Sequence, residues 1–310
     1  MKRIAFALLA AVLAAPAAAQ EKYPSRPVEI IVPWGPGGGA DQLARIVAKL
    51  LEPMLGTSFP VVNVPGATGG AGMAKLLAAP ADGYSMAVYI ADSHALLAGP
   101  SPRWTLAEIQ PAAVMIKAPS FLFAAENGRF KTWADFDKEA KAKPGALKVA
   151  TLGFGSVDDM SLSTLAKGGI RVIQVPYAKP GERYVSVIGG HVDALYEQAG
   201  DVRQFLDSKQ IRPLMVFGKE RFGPFKDVPS SYELGFHISL PQFRALVLKA
   251  GTPPERMKIL SEALAKVAAS AEYKAFLQQQ YATADSFMDA AQAAPFLKAQ
   301  LDEMKSAGAK

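Results

Sequence analysis

The chain of 310 residues contains no cysteine. Disulfides are therefore excluded and burial must hold the fold, while a lipid-modified cysteine is excluded as a membrane tether. Histidine is almost absent as well. His94, His191 and His237 lie far apart, without the HExxH or paired spacing of a metal site. Each reads as a surface or cleft residue, and no metal or cofactor is expected. The apolar run Ile4–Leu13 falls well short of the ~20 residues that span a bilayer, and no later run is long and apolar enough. Lys and Arg outnumber Asp and Glu by 34 to 28, for a net charge of +6. The excess is scattered, and no basic run is interleaved with aromatics, so nucleic acid is not an expected partner. Internal repeats are missing, and so is any low-complexity tract after the first 20 residues.

What is present begins with an address. Lys2-Arg3, the apolar Ile4–Leu13 and the small residues Ala17-Ala18-Ala19 before Gln20 have the layout of an export signal spanning residues 1–20. The absence of a twin-arginine pair points to ordinary export, giving a soluble periplasmic chain. The remaining ~290 residues suggest two lobes. Half of all residues are hydrophobic, enough for a core in each.

Strands alternate with helices along the sequence. Val28–Val32, Val61–Val64 and Tyr84–Ile90 read as strands, with an amphipathic helix after Gly39 that places Leu43, Ile46, Val47, Leu50 and Leu51 on one face and ends at Gly56. Ser120–Ala125 reads as the strand at the first crossing between lobes. The pattern then repeats: helix Trp133–Lys143, strand Leu147–Thr151, Ser156 as a helix N-cap, strand Arg171–Val175, a helix closed by Gly189-Gly190, then strands Val192–Tyr196 and Arg212–Phe217. Phe243–Leu248 reads as a strand returning to the first lobe, followed by helices Pro253–Ala268 and Ser286–Met304. Such alternation predicts parallel sheets covered by helices.

Chemistry concentrates where a strand meets a glycine turn and a helix begins: Pro36-Gly37-Gly38-Gly39, Ala67-Thr68-Gly69-Gly70, and Phe154-Gly155-Ser156. Backbone N–H groups at such helix starts can hold an anion, and glycine lets it approach. Asp41 suits the first helical turn, while Trp34 and Tyr177 at strand ends are candidate pocket walls, with Tyr196 and Glu197, after another strand end, as weaker ones. Asp158-Asp159 are read as decorating their helix's first turn and facing away from the cleft, since they would repel an anion.

Two enzymatic readings are weaker. Gly35-x-Gly37-x-x-Ala40 fits a dinucleotide fingerprint, but the second strand ends Asn63-Val64-Pro65-Gly66 without the acid that would hold a ribose. Gly155-Ser156-Val157-Asp158 is not a nucleophile elbow.

Motifs along nearly the whole chain give it a specific likeness. They include Tyr23-Pro24-x-Arg26-Pro27, Val32 through Asp41 with Ala44-Arg45, Asn63-x-Pro65-Gly66-Ala67-x-Gly69-Gly70-x-Gly72 and Pro80-x-Asp82-Gly83-Tyr84. Further on come Gly153-x-Gly155-Ser156, Val175-Pro176-Tyr177, Gly189-Gly190-x-Val192-Asp193, Asp227-Val228-Pro229, Glu233-x-Gly235 and Gly251-Thr252-Pro253. In these the chain resembles the solute-binding receptors of tripartite tricarboxylate transporters, the Bug family. The resemblance implies an α/β, two-lobed periplasmic binding fold of the flytrap kind (type II). Each lobe would be a mainly parallel sheet flanked by helices, with two crossings. The expected lobes are 21–121 with 240–310, and 122–239.

The resemblance also implies a non-enzymatic receptor for a small organic carboxylate, a permease partner with one small and one large subunit, and a monomer. The ligand-binding set would be Trp34, Pro36, Gly37, Gly38, Gly39, Asp41, Ala67, Thr68, Gly69, Gly70, Ser93, Phe154, Gly155, Ser156, Tyr177, Ala178 and Tyr196. The sequence departs from the family after Gly155-Ser156, where Asp158-Asp159-Met160 replaces a histidine neighbourhood, and after Tyr177, where Ala178-Lys179-Pro180-Gly181 replaces Lys-Gly. A ligand sensor for a signalling protein and an exported hydrolase using Ser156 are the alternatives.

Overall fold

A computed structural model describes residues 22–283 and 285–308; the export signal expected at 1–20 lies outside the described residues. Along the chain come β1 (Glu29–Val32), α1 (Gly39–Leu55), β2 (Val61–Asn63), α2 (Gly70–Ala78), β3 (Ser85–Ile90), α3 (Ala91–Ala95) and β4 (Ile109–Ala118). A second group follows: β5 (Ser120–Ala125), α4 (Trp133–Ala142), β6 (Lys148–Thr151), α5 (Val157–Lys167), β7 (Ile173–Pro176), α6 (Pro180–Ile188), β8 (Ala194–Gln198), α7 (Arg203–Asp207) and β9 (Ile211–Phe217). The chain ends with β10 (Gln242–Lys249), α8 (Pro254–Ala269), α9 (Ala271–Gln279), β11 (Met288–Asp289) and α10 (Ala290–Gly308).

Local chemistry explains the elements that position the site. Ile30, Ile31 and Val32 are fully buried, as expected for a central strand covered on both faces. The 3.6-residue spacing of α1 buries Leu43, Ala44, Val47 and Leu51. Gly56 stops the helix in the left-handed region, at φ 69°, with its N–H on Glu52 O. Thr132 and Asp135 form a capping box at the start of α4.

The strands build two sheets, in the orders β11-β4-β10-β3-β1-β2 and β7-β6-β8-β5-β9. Both are mixed, where the alternation of elements suggested mainly parallel ones. β1 pairs with β2 and β3, and β6 with β7 and β8, in parallel. The pairings of β10, β11 and β5 are antiparallel. The crossings account for the difference. β4 leaves the first sheet and, after Pro119 alone, continues as β5 of the second. The chain returns after β9 and enters β10, which runs back beside β4 with Gln242 opposite Ala118. Strands leaving and returning at adjacent positions must run in opposite directions. A C-terminal segment braces this point: Thr283 N–H donates to Lys117 O at 2.9 Å, and Ser286 Oγ accepts from Lys117 N at 3.0 Å.

Three smaller expectations are corrected. β4 was not anticipated; it carries Pro111 and pairs with β10 through two register shifts, features that blur a strand's period. The last helix begins at Ala290, because Met288–Asp289 pairs with β4 first. His94 is neither surface nor cleft: it is fully buried, with its ring nitrogens 3.0 Å from Tyr89 Oη and 2.9 Å from Leu297 O.

α2 lies so close to the end of β1 that a Cβ on Gly72 would come within 2.6 Å of Pro33 Cα. Gly72→Ala is therefore expected to lower stability by about 1–2 kcal/mol, the overpacking cost outweighing alanine's better helix propensity. Urea unfolding would show it as an earlier midpoint; an unchanged midpoint would contradict the close approach.

Candidate functional site

The first glycine turn leads from β1 into α1. Gly37 adopts φ 84°, a conformation glycine takes without strain. Its N–H donates to Asp41 Oδ2 at 3.0 Å. Asp41 also accepts from Asn63 Nδ2 at 3.1 Å and from Arg45 Nε and Nη2, both at 2.9 Å. Burial pushes its carboxyl up, but the bonds from Arg45, Gly37 and Asn63 outweigh this and hold it below the usual carboxylate range. Asp41 thus braces the turn, with its oxygens already engaged. The N-cap, Gly38, makes no side-chain capping bond.

The second turn holds four successive residues at positive φ: Gly66, Ala67, Thr68 and Gly69, at 136°, 51°, 53° and 88°. For Ala67 and Thr68 this is strained backbone, of the kind that clusters at ligand sites. Gly69, the N-cap of α2, also lacks a side-chain capping bond.

The third turn, before α5, is different. Leu152 N–H donates to Asp158 Oδ2 and Gly155 N–H to Asp159 Oδ2, both at 2.8 Å. Val157 N–H donates to Asp92 Oδ1 at 3.0 Å, across the cleft from the first sheet's side. Ser156 is the N-cap, accepting from Asp159 N–H at 3.3 Å and donating to Gly153 O at 2.5 Å. The chain's own carboxylates and hydroxyl cap this turn. Asp158 is 1% exposed and lies close enough to Asp92, Arg183 and Glu197 to feel their charges, which corrects the expectation that it points away from the cleft.

All three turns border one cleft. A Cβ on Gly38 would come within 2.8 Å of Pro180 Cγ, at the start of α6 on the opposite lobe. Thr68 Oγ1 stands 3.6 Å from where a Gly153 Cβ would lie, and Leu96 Cδ2 stands 3.2 Å from that of Gly155. At Gly38 a side chain would keep the lobes from approaching this far.

Between the lobes lies a cavity of about 30 Å³, bordered by Trp34, Gly38, Gly39, Asp92, Arg183, Tyr184, Glu197, Asp201, Gln242 and Arg244. That is room for about one water molecule. Tyr184 and Asp201 also border an outer groove of about 700 Å³ that takes in Pro36, Gly37 and Gln42. Arg244 Nη2 pairs with Asp201 Oδ2 at 2.5 Å, joining β10 to the turn after β8. Arg183 pairs with Glu197, and Gln242 Nε2 donates to Asp92 Oδ2 at 2.8 Å.

Burial dominates the ionisation of Asp92, Asp158 and Glu197. It raises Asp92 against the bonds from Gln242 and Val157. It raises Asp158 well above the usual range, with the neighbouring Asp92 charge adding to the effect. Glu197 is pushed up to about 7 by burial, against the pull of Arg183. Burial lowers both arginines, but Glu197 beside Arg183 and Asp201 beside Arg244 reverse the sign and hold them above their ordinary value. Among the described residues, Trp34 Nε1, Ser93 Oγ, Arg183 Nε and Nη1, Tyr184 Oη and Asp201 Oδ1 are buried without a hydrogen-bond partner. Unpaired buried polar atoms are costly, so their concentration here makes the cleft the candidate site.

Of the residues expected from sequence, Trp34, Gly38 and Gly39 border the inner cavity, and Pro36 and Gly37 the outer groove. Ser93 is buried beside Gly69. Ala67 to Gly70 form the strained turn. Gly155 and Ser156 sit at the cleft with the bonds described. Tyr177 packs partly buried on the second lobe's core, and Ala178 is exposed at the cleft mouth, its carbonyl 3.6 Å from a Gly35 Cβ position. Two candidates are displaced. Tyr196 is core, 1% exposed, with its hydroxyl 3.0 Å from Ser161 Oγ and its ring 4.8 Å from that of Phe217. Phe154 is 66% exposed and points to solvent.

Sequence reasoning left Asp92, Arg183, Tyr184, Gln198, Asp201, Gln242 and Arg244 out of the site. The available signal was an arginine inside the apolar run of β10, which a strand buried on both faces does not tolerate without a partner.

Residues 43–307 match the tripartite tricarboxylate transporter family receptors. The chain is 29% identical over 257 residues to protein BugT of Bordetella pertussis, covering 80% of this chain and 78% of that one. Its fold is that of MatC from Rhodopseudomonas palustris, solved with bound malate, at TM-score 0.84 and 22% identity over 92% of this chain and 99% of that one. It is equally that of R. palustris Rpa4515 with adipate, at TM-score 0.84 and 24% identity over 92% and 97%. These relatives are solute-binding receptors rather than enzymes. With its motifs, its two-lobed fold and its match over most of its length, the chain belongs to the tripartite tricarboxylate transporter receptor family.

Proposed function

We propose that this protein encloses a small organic carboxylate between its lobes and delivers it to a membrane permease of one small and one large subunit. On this reading residues 1–20 are removed on export, and the mature chain works in the periplasm as a monomer. Residues 21–121 and 240–310 form one lobe and residues 122–239 the other. The observation that carries the reading is the pair of turns on the first lobe, at Gly38–Gly39 and Ala67–Gly70. Both lack side-chain caps, both open a helix, and both face the rim of the opposite lobe. Each helix start favours a carboxylate by roughly 0.3–1 kcal/mol, up to ~2 when partly buried. The malate and adipate in the two R. palustris proteins support a carboxylate as the ligand class.

The cavity in the closed arrangement is smaller than any such ligand, so a ligand enters when the lobes part. A ligand touching both lobes stabilises the closed arrangement by its contacts to the second lobe, which is a population shift. A thermal-shift screen against organic acids, followed by calorimetry on those that raise the melting temperature, tests the reading.

Gly38→Glu is expected to abolish binding of any acid found in that screen. The backbone at Gly38 has φ −80°, which any residue accepts, so the fold should survive. The new side chain meets Pro180 and brings negative charge to the start of α1. Calorimetry that finds wild-type affinity in this variant would reject the role of the turn.

The buried acids have their own signature. The carboxyl of Glu197 binds its proton more tightly when folded, up to about 7, than at its ordinary 4.5. The folded state therefore holds the extra proton between these values, and Glu197's contribution to stability falls as pH rises from about 4.5 to about 7. The stability difference between wild type and Glu197→Gln should shift against wild type by a few kcal/mol over that interval, read from chemical unfolding. A difference constant with pH would show that Glu197 titrates normally.

A further inference from the structure

The cleft holds more carboxyl groups than guanidinium groups. Asp92, Asp158, Glu197 and Asp201 are each at most 8% exposed, against two buried cations, Arg183 and Arg244. Asp92 and Asp158 have no guanidinium of their own, and burial favours their protonated form, so an added negative charge would meet acids already held against ionisation.

The unpartnered atoms around the cavity point the same way, and they are independent of the charge count. Trp34 Nε1 and Arg183 Nε and Nη1 are donors, whereas Asp201 Oδ1 is an acceptor. Asp201 keeps Oδ2 on Arg244 Nη2 at 2.5 Å, which leaves Oδ1 for another donor. A dicarboxylate would satisfy the donors only, leaving Asp201 Oδ1 unpaired beside added negative charge. A molecule with an acceptor at one end and a cationic donor at the other satisfies both sets.

We propose that the ligand is a zwitterion, carrying a protonated amine as well as a carboxylate, and that Asp201, backed by Glu197, reads the amine. The carboxylate goes to the turn at Gly38–Gly39 with Trp34 and Arg183. This rests on the carboxylate-receptor reading and narrows its ligand class. Such a ligand adds no net charge to the cluster.

The test is calorimetry of the purified chain with length-matched series of four to six carbons: α,ω-dicarboxylates, the amino acids in which an ammonium replaces one carboxylate, and the diamines. The expected result is that the tightest amino acid binds at least tenfold better than its matched dicarboxylate. Asp201→Asn should erase that preference, so that in the variant the amino acid and its matched dicarboxylate bind within about threefold of each other. Equal or tighter binding of the dicarboxylates overturns the proposal and leaves the carboxylate reading standing. Binding by diamines alone overturns both, as does absence of binding by every carboxylate. An Asp201→Asn protein that keeps the full preference overturns the role given to Asp201.

Discussion

Charged side chains buried between two sheets are what the closed molecule has to accommodate. Removing a carboxylate or a guanidinium from water costs several kcal/mol even after relaxation, and pairing recovers this only where geometry and extra hydrogen bonds are good. The first lobe supplies Asp92, Gln242 and Arg244, and the second supplies Asp158, Arg183, Glu197 and Asp201. Arg244 finds its carboxylate only across the gap, on Asp201, and Asp92 finds a second donor only at Val157. Arg183 and Glu197 pair within their own lobe. In the closed arrangement some pairs are completed across the gap while all of these groups are desolvated, two effects of opposite sign. A receptor needs such effects to be nearly matched: a ligand can shift the equilibrium only by its differential affinity for the closed form.

The connections make that motion cheap. β4 runs into β5 through a single residue, and β10 returns beside β4. Both sheets keep their own hydrogen bonds right up to the crossing: Gln242 pairs with Ala118, and Ser120 with Gln198 and Phe217. A rotation there has few backbone bonds to break. The C-terminal strap adds a limit. Gly200 has no side chain, and a Cβ there would lie 2.6 Å from the backbone carbonyl carbon of Gln280. Tyr281 then reaches the second lobe, its ring 5.2 Å from that of Phe225. The turn that carries Asp201 is therefore seated against a segment that follows α9, and Gln280 in turn meets Gln42 of α1 at 2.8 Å.

What the sequence made legible was local. A strand, a glycine turn and a helix start are written in consecutive residues, so the turns at 37–39, 67–70 and 153–156 could be placed, and Ser156 recognised as an N-cap. The charged cluster is not local. Asp92 and Arg244 are far apart in the chain, and they meet only because β10 lies beside β3 in the sheet. Tyr196 shows the same limit from the other side. It ends its expected strand as a pocket residue would, yet the strand continues to Gln198, which turns Tyr196 into the core and moves the cleft to the residues after it. Asp158 was misplaced because repulsion from a ligand anion was weighed without Arg183 and the Leu152 amide.

The three turns, alike in sequence, differ in what their amides still have to offer. At α5 the donors of Leu152, Gly155 and Val157 already meet carboxylates of the chain, and the helix start has its N-cap hydroxyl. A further anion there would have to displace bonds worth as much as it makes. At α1 and α2 the N-caps are glycines without side-chain bonds, and the strain at Ala67 and Thr68 holds the second turn in a shape that local sequence alone would not favour. An anion therefore gains most on the first lobe. The second lobe contributes charge and shape once the cleft shuts: Pro180 over Gly38, Arg183 and Glu197 behind it, Asp201 against Gly39. On the proposed reading, docking on one lobe and recognition by the other follow from this unequal capping, because a turn that has satisfied itself is free to act as a rigid wall.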